Sequence, residues 1–250
     1  MKTGPLLALD TSTMTASLAV IGGAREVALD RAVGSHSDDL MALIDGALGD
    51  AGAALGDLCA VAVGAGPGSF TGLRIGMATA KGLCFAAGLP LWAVSSLAAL
   101  ALDIADTAGD RARDALLVPL LDARRGEVFA GFYRLAGGGL SAAGAERVLP
   151  AGDLAAAVAG VAAAAGAGSA LLAGDALAAH PGALAGAGEL LDSARATPSA
   201  RSVARLALSG AREDVLRAGT PVYIRPSEAE VKFPDGNPGG PFVRRRGDDS

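Results

Sequence analysis

Residues with which proteins hold nucleic acids on their own are scarce in this sequence. Aromatic residues make up 4% of the 250-residue chain, and 21 Lys and Arg face 26 Asp and Glu, which gives a net charge of −5. Proteins that bind RNA or DNA alone draw most of their affinity from a basic surface and, on single strands, from stacked aromatics. The composition therefore argues against independent nucleic-acid binding.

Cysteine and histidine are also scarce, which leaves little material for a metal site. Cys59 and Cys84 lie in apolar surroundings without metal-binding spacing, so we expect buried free thiols in a reducing compartment. His36 and His180 are far apart in the sequence. We interpret His36 as a solvated or helix-capping residue, and we predict neither a metal nor a cofactor.

Long apolar runs are missing as well. Asp10 interrupts the first apolar segment, which argues against a signal peptide, and the Ala-rich segment 155–165 is too short to span a bilayer. We therefore expect a soluble, cytoplasmic protein without a membrane partner.

Alternating strand and helix patterns predict an α/β protein with two lobes. The N-terminal lobe begins with strands at 6–10, 16–20 and 24–29, a helix over 38–51 capped by Ser35 or Ser37, a strand at 60–63, a helix over 72–87, a strand at 89–94 and a helix to about 103. The polar stretch 103–114 marks the boundary. We assign 1–105 to the N-terminal lobe, 106–232 to the C-terminal lobe and 233–250 to a disordered tail.

The second lobe also begins with a hairpin, formed by strands at 116–121 and 128–133. A helix over 154–164, a strand at 170–173 and a helix capped by Thr197, with Pro198 in its first turn, follow. Two halves that each begin with a hairpin indicate a duplicated ribonuclease-H-like architecture, as in the actin and sugar-kinase superfamily.

The most informative segment is 61–76, where an apolar strand pattern meets a loop rich in Gly and Pro that leads into a helix. Backbone N–H groups at such a helix start favour an anion or the backbone of a partner. The segment has neither the Gly-Lys-Ser/Thr of a Walker loop nor the Gly spacing of a dinucleotide site. We call residues 64–72 the signature loop. It predicts a protein contact ahead of a nucleotide site, with a tight structural turn as the alternative.

Two charged turns are further candidates. Asp10, Thr11 and Ser12 follow the first strand and either hold a phosphate through a metal and hydroxyl groups or cap their own backbone. The tip of the second hairpin, 122–127, is either a charged turn or a partner contact. The run 244–246 of three arginines is too short, and too close to Asp248 and Asp249, for a nucleic-acid patch.

The chain resembles the TsaB family. The string GPGSFTGLR at 66–74 carries most of the resemblance, which extends from about residue 6 to residue 225. The segments 9–12, 36–37, 90–97, 121–128 and 221–225 add to it.

The resemblance implies a two-lobed actin-like fold, shared with sugar kinases and Hsp70, and a non-catalytic scaffold subunit. The implied complex contains a TsaD-like catalytic paralogue and a TsaE-like ATPase, and it transfers threonylcarbamoyl to the adenosine beside the tRNA anticodon. By this resemblance, no residue of this chain is catalytic and tRNA is reached only through the complex. It also favours the structural interpretation of the turn at Asp10, Thr11 and Ser12, which stay the candidate nucleotide contacts.

The main alternative is an active ATP-dependent enzyme of the same fold, either a TsaD-like transferase or a small kinase. TsaD binds its metal with a His-x-x-x-His pair, whose positions correspond here to Ser96 and Leu100. Its Gly-rich adenosine segment is poorly matched by 173–176. A kinase needs a catalytic Asp in the second lobe, for which Asp122 is the one passable residue, and a glycoprotease needs a metal or a nucleophile triad that the sequence does not show.

We expect the partner surface on the two helices of the N-terminal lobe that flank the signature loop. Apolar residues lie on more than one face of these helices, and two glycines spaced by four allow close helix approach. The family resemblance also implies pairing there, with a homodimer in isolation that exchanges for a heterodimer. The predicted partner-binding residues are Met41, Leu73, Arg74, Gly76, Met77 and Ala80.

Overall fold

Two mixed β-sheets form the framework of the computed structural model, which describes residues 3–32, 38–191, 196–216 and 220. The strands are β1 (Leu6–Asp10), β2 (Thr15–Ile21), β3 (Val27–Ala32), β4 (Ala60–Gly64), β5 (Leu91–Val94), β6 (Ala115–Arg124), β7 (Glu127–Ala136), β8 (Gly139–Pro150), β9 (Ser169–Ala173), β10 (Glu189–Leu190) and β11 (Glu213–Asp214). The α-helices are α1 (Asp38–Ala51), α2 (Phe70–Ala87), α3 (Ser96–Ala108), α4 (Leu154–Ala165), α5 (Ala176–Ala179) and α6 (Ala200–Ser209).

The same strand order occurs twice. The first sheet has the order β11-β5-β4-β1-β2-β3 and the second has the order β10-β9-β6-β7-β8. In each half the first three strands form an antiparallel meander, the fourth pairs parallel with the first, and the fifth pairs parallel with the fourth. This repeated order confirms the duplicated ribonuclease-H-like, two-lobed α/β fold.

Helix α3 packs between the two sheets and joins their cores. Leu97, Leu100 and Ile104 pack with the apolar side chains of the second sheet. Ala99 and Leu102 belong to the core on one face of the first sheet. Helices α1 and α2 cover the other face of the first sheet, and α4 and α5 cover the outer face of the second. Because α3 is buried on both sides, it fixes one sheet against the other.

The chain returns to the first sheet after completing the second. Helix α6 packs its apolar stripe, which includes Val203 and Ala207, on the first sheet, and β11 pairs antiparallel with β5. The sequence boundary at 105 places this segment with the second lobe, whereas its packing places it with the first. The ranges of the lobes stay a prediction, and an alternating sequence pattern carries no signal for such a return.

Local capping sets the helix boundaries and moves three of the predicted ones. Ser69, whose hydroxyl accepts a hydrogen bond from the Gly72 N–H at 3.3 Å, starts α2 at Phe70, two residues before the prediction. Helix α3 continues to Ala108, beyond the predicted end at 103. Ser199 caps α6, so the prediction of Thr197 as the cap and Pro198 in the first turn was wrong. Strand β8 was not predicted.

Several predictions lie outside the described residues. These are His36 with its neighbouring serine caps, the segment 221–225, the arginines at 244–246 and the tail 233–250. Cys84 is a buried free thiol, as predicted, whereas Cys59 is free but only half-buried. Burial raises the pKa of the Cys84 thiol to about 12, and its Sγ donates to the Pro90 carbonyl oxygen at 3.5 Å.

The buried carboxylate of Asp103 anchors α6. It accepts the Ser199 backbone N–H at 2.9 Å, the Ser199 hydroxyl at 2.6 Å and the Ser202 hydroxyl at 2.7 Å. The Ser17 hydroxyl oxygen of β2 accepts the next backbone N–H, from Ala200, at 2.8 Å. These bonds satisfy the N–H groups at the helix start and tie α6 to α3 and to the first sheet.

We expect Asp103→Ala to lower the free energy of unfolding by about 2–4 kcal/mol, because it leaves buried donors without an acceptor. Asp106→Ala is the matched control, since its exposed ion pair with Arg205 contributes about 1 kcal/mol or less. Urea denaturation measures both. Equal losses in the two variants would contradict this role of Asp103.

Candidate functional site

The turn after β1 buries an aspartate at the point where the signature loop and α3 meet. Asp10 is 1% exposed. Its Oδ1 accepts the Ser12 backbone N–H at 2.9 Å and the Ser12 hydroxyl at 2.6 Å, and its Oδ2 accepts the Ser96 hydroxyl at 2.7 Å. Both carboxylate oxygens are therefore engaged by donors of the same chain.

Burial raises the pKa of Asp10 above its ordinary value of 3.8. The hydrogen bonds from Ser12 and Ser96 oppose this shift, since they stabilise the charged form, but removal from water is the larger effect. No cation among the described residues forms an ion pair with Asp10. The carboxylate is thus held by hydroxyl groups, which is a structural arrangement rather than an open ligand site.

Four glycines spaced by four residues pack against this turn. They are Gly64, Gly68, Gly72 and Gly76. A Cβ on Gly64 would lie 1.8 Å from Oδ2 of Asp10, and one on Gly76 would lie 2.2 Å from Oγ1 of Thr11. Such distances are far below van der Waals contact, so each position needs glycine to let the backbone approach.

The two middle glycines bring the signature loop onto the backbone of the same turn. A Cβ on Gly68 would lie 2.3 Å from the Ser12 carbonyl oxygen, and one on Gly72 would lie 2.1 Å from the Thr11 carbonyl oxygen. The Ser69 N–H donates to the Ser12 carbonyl at 2.6 Å, and the Thr11 hydroxyl donates to the Gly72 carbonyl at 2.8 Å. The signature loop thus closes over the turn at Asp10.

Ser96 and Leu100, the two residues that the sequence analysis compared with a metal-binding histidine pair, lie inside this closed arrangement. Ser96 is fully buried, donates to Asp10, and accepts the Gly66 N–H at 3.2 Å. Leu100 is fully buried in the core shared with the second sheet. Neither side chain offers a metal ligand of the kind imidazole provides. Over 3–32, 38–191, 196–216 and 220, no group of three His, Cys, Asp or Glu side chains is placed to hold a metal ion.

The second sheet carries an aspartate at the corresponding turn. The Asp122 carboxylate contacts the His180 ring nitrogen at 3.1 Å, accepts the Arg124 N–H at 2.8 Å, and pairs with the Arg124 guanidinium at 3.2 Å. The Asp122 N–H in turn donates to Asp175 at 2.8 Å. Burial raises the pKa of Asp175, and the nearby Asp122 charge adds to this. Asp122, which a kinase would need as its catalytic base, is committed to these contacts.

Four of the six predicted partner-binding side chains pack inside this chain. Leu73, Gly76, Met77 and Ala80 are buried. Met77 and Ala80 belong to the core on the first sheet, and Gly76 packs on Thr11. Met77→Glu or Gly76→Arg would therefore disturb the core as well as any interface.

The two other predicted residues are on the surface. Met41 is 48% exposed, and Arg74 lies over the Phe70 ring with its guanidinium carbon 3.9 Å from the ring centroid.

The outer faces of α1 and α2 carry large apolar side chains that the core does not cover. Phe85 is 67% exposed, Met14 of the β1–β2 turn is 63% exposed, and Phe70 is 39% exposed. Sequence analysis missed Met14 and Phe70 as surface residues. Met14 lies in a turn without periodicity, and the start of α2 was placed after Phe70. Phe70 lies at the start of α2 and Phe85 near its end, so apolar side chains are exposed at both ends of this helix.

Within the described chain, no helix has both the length and the apolar character needed to cross a membrane. The structure does not assign a ligand to either aspartate turn.

Comparison with known proteins gives a family. A family model described as TsaD, tRNA N6-adenosine threonylcarbamoyltransferase, matches residues 27–224. The tRNA threonylcarbamoyladenosine biosynthesis protein TsaB of Bacillus subtilis is 37% identical over 147 residues, which cover 58% of this chain and 59% of that protein. The chain spans between half and three fifths of the length of the curated TsaB relatives that it matches.

Solved structures extend the similarity over most of the chain. YeaZ from Pseudomonas aeruginosa superimposes with a TM-score of 0.73 at 30% identity, covering 88% of this chain and 100% of that one. A second crystal structure from P. aeruginosa, of an uncharacterized protein with similarity to peptidase YeaZ, gives 0.74 at 32% identity, with coverage of 89% and 100%.

Two glycines of α2 test the close packing of the signature loop on the turn. We expect Gly76→Ala to destabilise the fold by about 1–3 kcal/mol, because the new methyl group collides with the Thr11 side chain. Gly82→Ala in the same helix meets nothing within 4 Å and should stabilise by up to about 1 kcal/mol through helix propensity. Chemical denaturation measures the free energy of unfolding of both variants. A change of the same sign in both would refute the packing argument.

The raised pKa of Asp10 predicts the sign of a pH dependence. The folded state binds the Asp10 proton more tightly than the unfolded state, so its contribution to stability is full below the ordinary pKa of 3.8 and is lost as pH rises through the folded-state value. The stability of the wild type relative to Asp10→Asn should therefore decrease with rising pH. Denaturation of both proteins across the acidic to neutral range measures this difference, and an increase with pH would be the opposite result.

Proposed function

We propose, on the premise that this chain belongs to the TsaD family and, within it, to the TsaB proteins, that it is a non-catalytic scaffold subunit in tRNA threonylcarbamoyladenosine biosynthesis. Its task is to bind and support a TsaD-like catalytic paralogue, which transfers threonylcarbamoyl to the adenosine beside the anticodon. A TsaE-like ATPase completes the complex, and tRNA is reached only within it.

The observation that carries the proposal is the closure of the turn at Asp10. A phosphate site in this turn needs an accessible carboxylate for a metal ion, or hydroxyl and N–H groups that face a ligand. Here Ser12 and Ser96 bind both carboxylate oxygens, and the signature loop covers the backbone. The loop thus builds a rigid base for α2 and leaves Asp10 without a reacting role.

The replacement of the histidine pair supports the same conclusion. Ser96 and Leu100 contribute a hydrogen bond to Asp10 and an apolar core contact, both of which stabilise the junction of the two sheets. A TsaD-like enzyme needs metal ligands at these positions. The side chains present are suited to packing instead.

The exposed apolar side chains of α1 and α2 provide the surface for assembly. One face of each helix packs on the first sheet, while Met41 and Phe85 remain on the outer side. Arg74 and Phe70 extend this surface at the start of α2. We propose that two copies pair here in isolation and that the paralogue replaces one copy. Burial of these side chains supplies the free energy of association.

Reconstitution with one component omitted at a time tests the proposed function. The full mixture contains this chain, the TsaD-like paralogue, the TsaE-like ATPase, the threonylcarbamoyl adenylate and unmodified tRNA. We expect modified adenosine only when this chain and the paralogue are both present, and no ATP hydrolysis or tRNA modification by this chain alone. Steady ATP turnover by the pure chain would instead favour an active kinase or transferase.

A pair of surface variants locates the interface. Phe85→Glu should weaken association with the paralogue and with a second copy at least about tenfold, because it places a charge in an apolar contact. Leu208→Glu is the matched control, since this side chain is 54% exposed on α6, which packs on the opposite face of the first sheet. Light scattering and titration calorimetry give the two affinities. Loss in both variants, or in neither, would place the interface elsewhere.

A further inference from the structure

The tip of the β6–β7 hairpin has a backbone conformation that its residues do not favour. Arg124 and Arg125 have φ angles of 64° and 55°, and Gly126 follows at 79°. Arg124 pairs with Glu127 across the turn, so Arg125 and Gly126 are the two central residues. Such turns favour Asn-Gly or Gly-Gly, because both central residues need a positive φ. The sequence thus keeps two arginines where smaller residues would fold more easily.

A network of side chains behind the tip holds this conformation. The Asp122 carboxylate accepts the Arg124 N–H and pairs with the Arg124 guanidinium, and His180 contacts the same carboxylate. Asp175 accepts the Asp122 N–H. The side chains of Asp122 and His180 are 10% and 13% exposed, so the network lies under the tip and not on it. Asp122 therefore holds Arg124, the first residue of the tip, from below the surface.

The arginines face outward from this support. The side chain of Arg124 is 76% exposed, and Arg125 is also on the surface. The positive charge of Arg124 compensates the Asp122 carboxylate, which also contacts the His180 ring nitrogen, and the half-buried Glu127 closes the hairpin. Strained backbone that is held by its surroundings is found at ligand-binding sites and switch regions. A planar guanidinium group on a rigid tip is suited to bind a phosphate in two hydrogen bonds.

We propose that this hairpin tip contacts the phosphate backbone of the RNA substrate within the assembled complex. The inference rests on the proposed function, since the chain with its net charge of −5 is not expected to hold RNA alone. Arg125 makes the phosphate contact, Arg124 supports it, and Asp122 is a positioning residue. The contact places RNA on the second sheet, away from the partner surface on α1 and α2.

Arg125→Asn is the decisive variant, because asparagine suits a left-handed turn position and removes the charge. Its melting temperature should stay equal to that of the wild type or rise. Arg125→Lys keeps the charge. Arg113→Asn is the control, since Arg113 precedes β6 at the opposite end of this strand and is also exposed, with 76% of its side chain accessible.

The measurement is the affinity of unmodified tRNA for the complete complex, by fluorescence anisotropy over a series of KCl concentrations. We expect Arg125→Asn to weaken binding several-fold at low salt and to reduce the slope of log K against log salt by about 1. Arg125→Lys should recover most of the affinity, and Arg113→Asn should bind like the wild type.

Three results would overturn the proposal. The first is unchanged affinity and salt slope in Arg125→Asn, and the second is an equal loss in Arg113→Asn. The third is dissociation of the protein complex by Arg125→Asn, which would assign the tip to an acidic protein surface. Failure of the proposed function is a separate outcome, because it would show as tRNA modification that does not need the wild-type chain.

Discussion

The buried hydrogen bond between Asp10 and Ser96 is the interaction on which the arrangement of this protein depends. It joins the end of β1 to the start of α3, and α3 is the helix that both sheets share. Ser96 also receives the N–H of Gly66, so the signature loop is attached to the same point. A carboxylate removed from water is costly unless each oxygen is bonded, and here the protein itself supplies the donors. The turn is closed because the buried Asp10 carboxylate needs hydrogen-bond donors, and Ser12 and Ser96 provide them.

The duplicated topology makes the two aspartate turns comparable. Each connects the first and second strands of a repeat, which pair antiparallel. In the first turn, four glycines let the signature loop and α2 pack directly on the backbone, and Asp10 is buried. The second turn keeps Asp122 just below the surface, where it organises two exposed arginines. The same strand topology thus gives a closed, buried turn in the first half and an exposed hairpin tip in the second.

Much of the fold could be predicted from the sequence, because strand and helix periods and the opening hairpins are local signals. The partner surface was less predictable. The sequence pattern of an apolar residue of α2 such as Met77 is the same whether the side chain faces the sheet or a partner. Only the packing shows that Met77 is buried. The return of α6 to the first sheet depends on contacts between Asp103 and Ser199, which are 96 residues apart. The positive φ angles of Arg124 and Arg125 could not be predicted either, because the sequence at 122–127 is that of an ordinary charged turn.

The proposal that this chain supports catalysis without performing it depends on Asp10 having a structural role. The most direct test is the rate of threonylcarbamoyl transfer to tRNA by the reconstituted complex, with wild type or Asp10→Asn as the scaffold, at matched occupancy of the complex. An amide retains most of the hydrogen bonds of the carboxylate but cannot act as a base or as an anionic metal ligand. A transfer rate within about twofold of the wild type is predicted, whereas a loss of 100-fold or more, about 2.7 kcal/mol, in an intact complex would contradict the account.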